Sequence, residues 1–511
     1  MKIKIKYIPL LSLAVMAAFT SCISDDSLEG GRLLPTLAVQ GSDAETMPVY
    51  NFYMGEDAVL KPEVTYTGSD SLTYHWQVGT YANGTKGELK DAGYGPELRY
   101  HFYEGGSHYA HLTVTDGKVG VAADYQINMN RTFEEGYLIT ATDADGGGNL
   151  TFVKVLTPEE IAAGTGDVIV EHALERINEG VSEKTLVGVQ TGSYWNRDTY
   201  KDILRLIIST QDSCYFVEPN ELTVISASTY NDINPGFKAS GFFKAMSGMA
   251  PYVYDKAKKK FEHIQVKNQF PFDYNLYSGF QPEDIMQGKS NYWGSDYVTD
   301  YYLDYTNSLV YLFNAYFSYG MGEAWFVNTK DLLKGQTLLT AFPSFEPNAS
   351  YAIPSYIMSR TSSTVTLWTC NVSAYQMTDG SFTPTTIDAT SDLAVPAQAT
   401  LMVPSLKYHR MFYPIGNRVY VFLPDNAFAL PKLSEYAIAF PENEEVTYMT
   451  TNSGTEELYI GTYNSSTRRG SFYIYNCADV STGNASSVQP KKVYKDCTGR
   501  IKDIMYKQSI Q

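Results

Sequence analysis

Basic residues are scarce in this chain, and the shortage narrows the functions that it can have. Its 511 residues include 39 Lys and Arg against 56 Asp and Glu, which gives a formal net charge of −17. No basic stripe along the sequence offsets this negative charge, which repels phosphate backbones. The composition therefore excludes nucleic acid as a partner.

Local catalytic motifs are also missing. The sequence has no Gly-x-Ser-x-Gly elbow of the serine hydrolases and no His-Glu-x-x-His pair of the zinc proteases. The Ser-x-Asp-x-Gly-x-Thr-Trp repeat of the sialidases is absent as well. We therefore predict that the protein is not an enzyme. One enzymatic alternative stays open, because a propeller glycoside hydrolase with dispersed carboxylates leaves no local signature.

Two groups of residues resemble metal sites without meeting the requirements of one. Asp143 and Asp145 occupy the first and third positions of a calcium loop, but position twelve is Lys154, where a bidentate glutamate is needed. No cysteine lies near the three histidines that cluster in sequence, His101, His108 and His111. We predict a glycine-rich hairpin turn at the first group, strand histidines at the second, and no metal or other cofactor.

The first 21 residues have the features of a secretory signal. The positive start Met-Lys-Ile-Lys-Ile-Lys is followed by an apolar stretch over residues 8–19, which is too short for a permanent membrane span. Small residues then precede a cysteine in Phe-Thr-Ser-Cys, a sequence that resembles a lipobox. We predict cleavage before Cys22 and diacylation of this residue, with palmitate among the acyl chains; two or more acyl chains give stable membrane anchoring.

The segment after Cys22 is polar. Residues 22–34 hold several Gly, Ser and Asp and are predicted to form a flexible tether. Its acidic run, Ser-Asp-Asp at 24–26, resembles the signal that sends lipoproteins of Bacteroidota to the outer face of the outer membrane; a solvated acidic linker is the alternative. Removal of the signal takes away three lysines, which lowers the formal charge from −17 to −20.

The mature chain is predicted to be all-β, beginning with an immunoglobulin-like β-sandwich over residues 35–131. Strand-favouring residues alternate with polar ones in Leu-Thr-Tyr-His-Trp-Gln-Val at 72–78, so Trp76 and Val78 share one face. Trp76 is then a core residue, comparable to the tryptophan that fills immunoglobulin-like cores. A second long strand at 109–115 ends in an Asp-Gly turn.

Strand pairs recur from residue 132 to the end of the chain. Examples are the hairpins at 136–155 and 457–475, and a capping box at Thr157 predicts a short helix after the first of them. Strand pairs that recur over about 380 residues favour a β-propeller of about seven blades over the alternative of two packed sandwiches.

Five cysteines leave one possible disulfide after the lipid anchor is set aside. The remaining four are Cys214, Cys370, Cys477 and Cys497. Cys477 and Cys497 are close in sequence on two neighbouring predicted strands, which permits either a disulfide or two buried thiols.

Aromatic residues give the best functional lead. They form 14% of the chain, with 42 tyrosines, and two segments combine tryptophan with polar residues outside any clean strand alternation, at 193–198 and 291–297. Such segments would stack a sugar or peptide group while polar neighbours fix its orientation; packing between blades is the alternative. The candidate ligand-binding residues are Trp195, Asn196, Tyr292, Trp293 and Asp296.

The order of these features resembles the PKD-like lipoprotein family of Bacteroidota. The residues that carry the resemblance are the lipobox, the Tyr-His-Trp strand at 74–76, the strand His-Leu-Thr-Val-Thr-Asp at 111–116 and the strand-rich region that opens with Gly-Tyr-Leu at 136–138. The Trp-Asp-Phe-Gly-Asp-Gly core of PKD domains is absent. The resemblance implies a surface accessory lipoprotein, associated with SusC- and SusD-like proteins that import glycans or peptides, with no catalytic residues. A structural spacer for such a transporter is the remaining alternative.

Overall fold

The computed structural model describes residues 34–243, 252–258, 260–274, 284–292, 295–314, 329, 331–343, 352–373, 380–405, 407–424, 428–452, 454–485 and 487–509. Within these ranges the chain has 37 strands and three short helices, as its strand-favouring composition predicts. Contacts divide it into two units. Unit 1 contains the described residues up to Tyr50 with Ala58–Tyr100 and Ser107–Asn128, and unit 2 contains Asn51–Asp57, His101–Gly106 and everything from Met129 onward.

The N-terminal strands form one six-stranded sheet and two strand pairs. The order in the large sheet is β2-β10-β9-β5-β6, with β7 paired to β5, and the two pairs are β1–β4 and β3–β8. The strands are β1 (Leu37–Val39), β2 (Val49–Tyr53), β3 (Asp57–Leu60), β4 (Val64–Tyr66), β5 (Thr73–Ala82), β6 (Thr85–Lys86), β7 (Lys90–Tyr94), β8 (Leu98–His101), β9 (Gly106–Thr115) and β10 (Gly120–Asn130).

Trp76 fills the core of unit 1, as its place in the alternating strand predicts. It is 1% exposed and packs against the ring of Tyr125 at 5.9 Å between ring centroids. Both rings satisfy their polar atoms inside the unit, as buried tryptophan and tyrosine must. The indole nitrogen of Trp76 donates to the carbonyl of Gly95 at 3.0 Å, and the hydroxyl of Tyr125 donates to that of Gln40 at 2.7 Å.

Seven antiparallel sheets follow one another along the described part of the chain after residue 135. The first contains β11 (Gly136–Thr142), β12 (Gly148–Lys154) and β13 (Ile169–Val170); the second β14 (Leu186–Asn196), β15 (Lys201–Thr210), β16 (Ser213–Val217) and β17 (Val224–Thr229); the third β18 (Gly241–Phe243), β19 (Tyr252–Asp255), β20 (Lys260–Gln265) and β21 (Phe270–Tyr274); the fourth β22 (Asp284–Tyr292), β23 (Ser295–Asp304) and β24 (Leu309–Asn314).

The remaining sheets repeat this pattern. The fifth contains β25 (Thr337–Pro343), β26 (Ala352–Arg360), β27 (Thr364–Ser373) and β28 (Gly380–Asp388); the sixth β29 (Val403–Ser405), β30 (Arg410–Ile415), β31 (Arg418–Phe422) and β32 (Ile438–Ala439); the seventh β33 (Glu444–Asn452), β34 (Glu457–Asn464), β35 (Arg469–Asn476) and β36 (Lys492–Thr498). The last strand, β37 (Arg500–Lys507), pairs with β11 and so belongs to the first sheet.

Three short helices lie in the connections between these strands. They are α1 (Pro158–Ala162), α2 (Ala173–Ile177) and α3 (Tyr230–Ile233). The capping box predicted at Thr157 is confirmed: its side chain accepts the backbone N–H of Glu160, while the Glu160 carboxylate accepts the N–H of Thr157. These reciprocal bonds satisfy two backbone donors at the start of α1.

Strands β30 and β34 of unit 2 are buried on both faces. In β34, Leu458 and Ile460 pack in a cluster with residues of the sixth sheet, whereas Tyr459 between them packs in a cluster with residues of the first. In β30, Phe412 packs with residues of the seventh sheet, and Tyr413 packs with residues of the fifth. Each of these sheets therefore lies face to face with its neighbours on both sides, which gives unit 2 a β-propeller-like all-β arrangement.

The first sheet closes this series. Its strand β11 pairs with β37 from Gly136 opposite Lys507 to Thr142 opposite Arg500, and Tyr137, Ile139 and Ile501 pack with residues of the seventh sheet. The two ends of unit 2 are thereby joined by main-chain hydrogen bonds. The pairing leaves β11 with a neighbour on each side.

Cys477 and Cys497 are free, buried thiols. Of the two alternatives, the structure contradicts the disulfide and agrees with two separate buried thiols. They occupy opposite ends of an antiparallel pair, in which Gly470 lies opposite Thr498 and Ile474 opposite Lys492. Cys477 therefore packs against the sixth sheet and Cys497 against the first. Proximity in sequence does not bring two residues together when they sit at opposite ends of neighbouring strands.

Truncation before β37 should destroy the folding of unit 2. A chain that stops at Gly499 loses the main-chain partner of β11 and the buried side chains of Ile501 and Ile504, each of which contributes roughly 1.5–3 kcal/mol when fully buried. We expect loss of the cooperative thermal transition of unit 2, measured by circular dichroism and calorimetry. A chain that stops at Gln508 keeps β37 and is the control. A normal transition in the shorter chain would contradict the closure.

Candidate functional site

The first aromatic segment forms the tip of a regular hairpin. Trp195 and Asn196 end β14, where their backbones lie opposite Asp202 and Lys201. The side-chain oxygen of Asn196 accepts the backbone N–H groups of Asp198 and Thr199 at 2.9 and 3.3 Å, so it shapes the turn. The last residue of the turn, Tyr200, has a positive φ of 51° and a side chain that is 77% exposed.

The second aromatic segment is also a hairpin and not the irregular loop that its composition indicates. β22 and β23 pair without a break, with Asn291 opposite Asp296 and Tyr292 opposite Ser295. Trp293, between these strands, lies outside the described residues. The structure thus places Tyr292 and Asp296 at one hairpin end.

The two aromatic segments occupy equivalent positions in different sheets. Each joins the first strand to the second strand, in the second sheet at 197–200 and in the fourth at 293–294. First strands of neighbouring sheets contact each other, as β14 does β18 and β22 does β25. The two hairpins therefore hold the same place in the strand order of their sheets, the second and the fourth.

The turn at Asn196 is one example of a repeat. An Asn or Asp ends a strand, its side-chain oxygen accepts an N–H two or three residues later, and a new strand starts five residues after it. The residues that begin such turns are Asn196, Asp255, Asp304, Asn452 and Asn464. Four of these turns have a residue with positive φ in their last position: Tyr200, Ser308, Glu456 and Arg468. The sequence carries a signal for this repeat, an Asn or Asp five residues before the start of the next strand, which strand periodicity alone does not detect.

A cluster of charged residues lies beside the turn that joins β11 to β12 in the first sheet. The ring of His172, which precedes α2, lies between two carboxylates: its Nε2 atom is 3.1 Å from Asp143 and its Nδ1 atom 3.0 Å from Glu183. Glu183 is completely buried and the ring is 39% exposed. The Glu183 carboxylate raises the pKa of His172, and burial raises the pKa of Glu183 itself.

A second ion pair joins the same region to the seventh sheet. Arg469 donates to both oxygens of Glu171 at 2.9 and 2.6 Å, and the Asn149 amide donates to Glu171 and to Asp143. Beside it the hydroxyls of Thr151 and Thr498, both buried, are 2.7 Å apart. These donors and acceptors are hydrogen-bonded to one another. They link the first sheet to the seventh, where the series of sheets closes.

The aspartate and histidine side chains that resemble metal sites in the sequence contact other protein groups. Asp145 accepts the N–H of Gly147 within the hairpin turn, His111 lies 2.7 Å from Asp124, and His101 lies 3.0 Å from Asp57. In the described ranges no group of three His, Cys, Asp or Glu side chains is arranged to hold a metal ion. None of the helices that the structure describes is long and apolar enough to cross a membrane.

Comparisons with known proteins give weak structural matches. No family model and no curated protein matches this sequence. Among solved structures, a quinonprotein alcohol dehydrogenase-like protein from Bacteroides thetaiotaomicron is 14% identical with a TM-score of 0.45, over 92% of this chain and 99% of that one. Hydrazine synthase from Kuenenia stuttgartiensis is 12% identical with a TM-score of 0.36, over 67% and 96% of the two chains. We transfer no activity from these matches.

Removing the His172 ring should destabilise unit 2 because it leaves the buried Glu183 carboxylate without its histidine partner. We expect H172Q to lose roughly 2 kcal/mol of unfolding free energy, less than for a fully buried pair because the ring is partly exposed. The H172Q/E183Q double variant removes the buried charge as well and should recover most of the loss. Equal stability of the two variants in chemical denaturation would contradict this pairing.

The same pair predicts a pH dependence. A histidine whose folded pKa is raised contributes stability that is complete below its unfolded value of about 6.5 and is lost as the pH rises through the folded value. Glu183, whose pKa is also raised, acts in the same direction. The wild-type protein should therefore lose stability as the pH rises, above about 4.5 through Glu183 and above about 6.5 through His172. In chemical denaturation at a series of pH values, H172Q/E183Q should lack both parts of the slope.

Proposed function

We propose that this protein is a lipid-anchored binding protein of the bacterial outer membrane that faces the cell exterior and binds a glycan or peptide without turning it over. The observation that supports the proposal is that both tryptophan segments fall at the hairpin between the first and second strands of a sheet, with Trp195 at the end of β14 and Tyr292 at the end of β22. Aromatic side chains on hairpins provide contact area at low entropic cost. The PKD-like resemblance of the sequence agrees with an accessory role beside SusC- and SusD-like transporters.

Three carboxylates among the described residues of unit 2 are paired with basic side chains. Buried Glu444 accepts from Lys495 at 2.9 Å, buried Glu457 pairs with Lys491, and Glu171 pairs with Arg469. A glycosidase needs one carboxylic acid and one carboxylate that both face a bound sugar. The carboxylates named here face lysine or arginine partners instead. Turnover of any glycan or peptide in a panel by the purified protein would favour the hydrolase alternative, and absence of both ligand and transporter binding would favour the spacer.

Cys22 is the residue on which the anchoring depends. Replacing it in C22A removes the acyl acceptor, and we expect the protein to accumulate unprocessed or in the soluble fraction. The measurement is fractionation with detergent extraction, followed by mass determination. S21A, which keeps a small residue before the cysteine, is the control. Recovery of C22A in the outer-membrane fraction at the mature mass would rule out lipidation at this position. Protease treatment of intact cells tests the predicted outward orientation separately.

Trp195 and Trp293 are the residues on which binding depends. Truncating either to alanine should weaken ligand affinity by about thirty-fold, on the order of 2 kcal/mol, with little change in melting temperature. The control is W76A, because Trp76 is 1% exposed and its loss should cost roughly 3–5 kcal/mol of stability. If W195A or W293A melts far below the wild type and the folded fraction binds normally, the rings pack between sheets and the binding proposal fails.

A further inference from the structure

The six-stranded sheet of unit 1 has a buried face and a polar outer face. Strand β9 alternates regularly: Ala110, Leu112 and Val114 are fully buried, whereas His111 and Thr113 between them are partly exposed. The register places Thr113 opposite His75 of β5, and His111 opposite Gln77. The outer face is thus a row of hydrogen-bonding side chains on a rigid sheet.

One aromatic ring stands at the edge of this outer face. Tyr94, the last residue of β7, lies opposite His75 and is 76% exposed. The glycines on both sides of it, Gly93 and Gly95, have φ values of 113° and 120°, which residues with a side chain rarely adopt. The Gly95 carbonyl accepts the indole N–H of the core residue Trp76. The backbone that presents Tyr94 is therefore bent by glycine and fixed to the core.

The ring of Tyr94 is supported from one side. It stacks on the imidazole of His75 with 4.9 Å between centroids and 14° between planes. His75 is held in turn by Asp91, whose Oδ1 atom is 3.1 Å from its Nε2 atom and also accepts the N–H of Gly93 at 3.2 Å. Because these contacts fix the orientation of the ring in advance, a ligand that stacks on its open face loses little conformational entropy.

We propose that Tyr94, with His75, Asp91 and Gln77 beside it, forms a second ligand site that binds a neutral glycan. A pyranose ring has an apolar C–H face that stacks on an aromatic ring and a rim of hydroxyls that needs hydrogen-bond partners. The Asp91 carboxylate accepts from such hydroxyls, and the amide of Gln77 both donates and accepts. This proposal deepens the proposed function by naming a ligand class, and it rests on that function only for access to extracellular glycans.

Charge selects the neutral glycan among flat ligands. The chain carries a formal net charge of −17. On unit 1, Asp70 pairs with Lys118 and Asp124 with Lys86, whereas Asp91, beside Tyr94, contacts the imidazole of His75. Anionic sugars and nucleobases on a phosphate backbone are repelled by such a surface.

The test is titration calorimetry on the full mature lipoprotein in detergent, with maltoheptaose, cellohexaose, xylohexaose and mannohexaose as probes. We expect the wild type to bind at least one of them, Y94A to bind it at least tenfold more weakly, and Y94F to bind it within about twofold. The matched control is Y103A, because Tyr103 is 43% exposed, lies outside both proposed sites and contacts a histidine ring, His101, edge-on instead of stacking on it. Y94A should melt at the wild-type temperature, since its side chain is mostly in solvent.

Each outcome decides between the two sites. Loss of binding in Y94A with retention in Y103A, W195A and W293A supports the site on unit 1 for these glycans. Unchanged binding in Y94A overturns this inference, and loss in W195A or W293A in the same experiment leaves the proposed function standing. A wild type that binds none of the four glycans, or binds only peptides when these are titrated, also overturns it.

Discussion

The pairing of β37 with β11 is the interaction on which unit 2 depends. It joins segments more than 350 residues apart, from Gly136 opposite Lys507 to Thr142 opposite Arg500, and it gives the first sheet its fourth strand. Without it, the face of the seventh sheet that carries Tyr459 loses neighbours such as Ile501, and the edge of β11 exposes unpaired main-chain groups. The polar links between the first and seventh sheets, Arg469 to Glu171 and Thr151 to Thr498, reinforce the same junction.

Burial on both faces explains which parts of the fold are predictable from sequence. The hairpins at 136–155 and 457–475 are rich in apolar and aromatic residues at consecutive positions, so their strands are found within one or two residues of the predicted bounds. Trp76 follows from the alternation of a strand with one solvent face. In contrast, β22 has the polar sequence Asp-Ile-Met-Gln-Gly-Lys-Ser-Asn-Tyr, and only its regular pairing with β23 shows that it is a strand. Pairing partners, not intrinsic preference, decide such segments.

The charged groups could not be predicted as a cluster because topology alone brings them together. His172 and Glu183 are near in sequence, but Asp143 comes from a hairpin, and Arg469 follows almost 300 residues after its partner Glu171. The same holds for the cysteines, where sequence proximity indicates a pair and antiparallel register separates it. Local rules succeed for capping boxes and turns, whose partners are at most a few residues away. Long-range polar contacts require the order of the sheets.

Burial on both faces also restricts where unit 2 can bind a ligand. Strands that pack against sheets on either side have no free side-chain face, so contact with a ligand falls to the hairpins and the connections at the strand ends. Tyr200 lies on such a hairpin. The sheet of unit 1 differs, because its outer face is polar, and there Tyr94 stands on a strand. Among the large hydrophobic residues that the structure describes, these two tyrosines have the greatest exposure, 77% and 76%. The two most exposed tyrosine rings therefore lie at a hairpin of unit 2 and on the sheet of unit 1 that has a polar face. We expect ligand contacts at these two places.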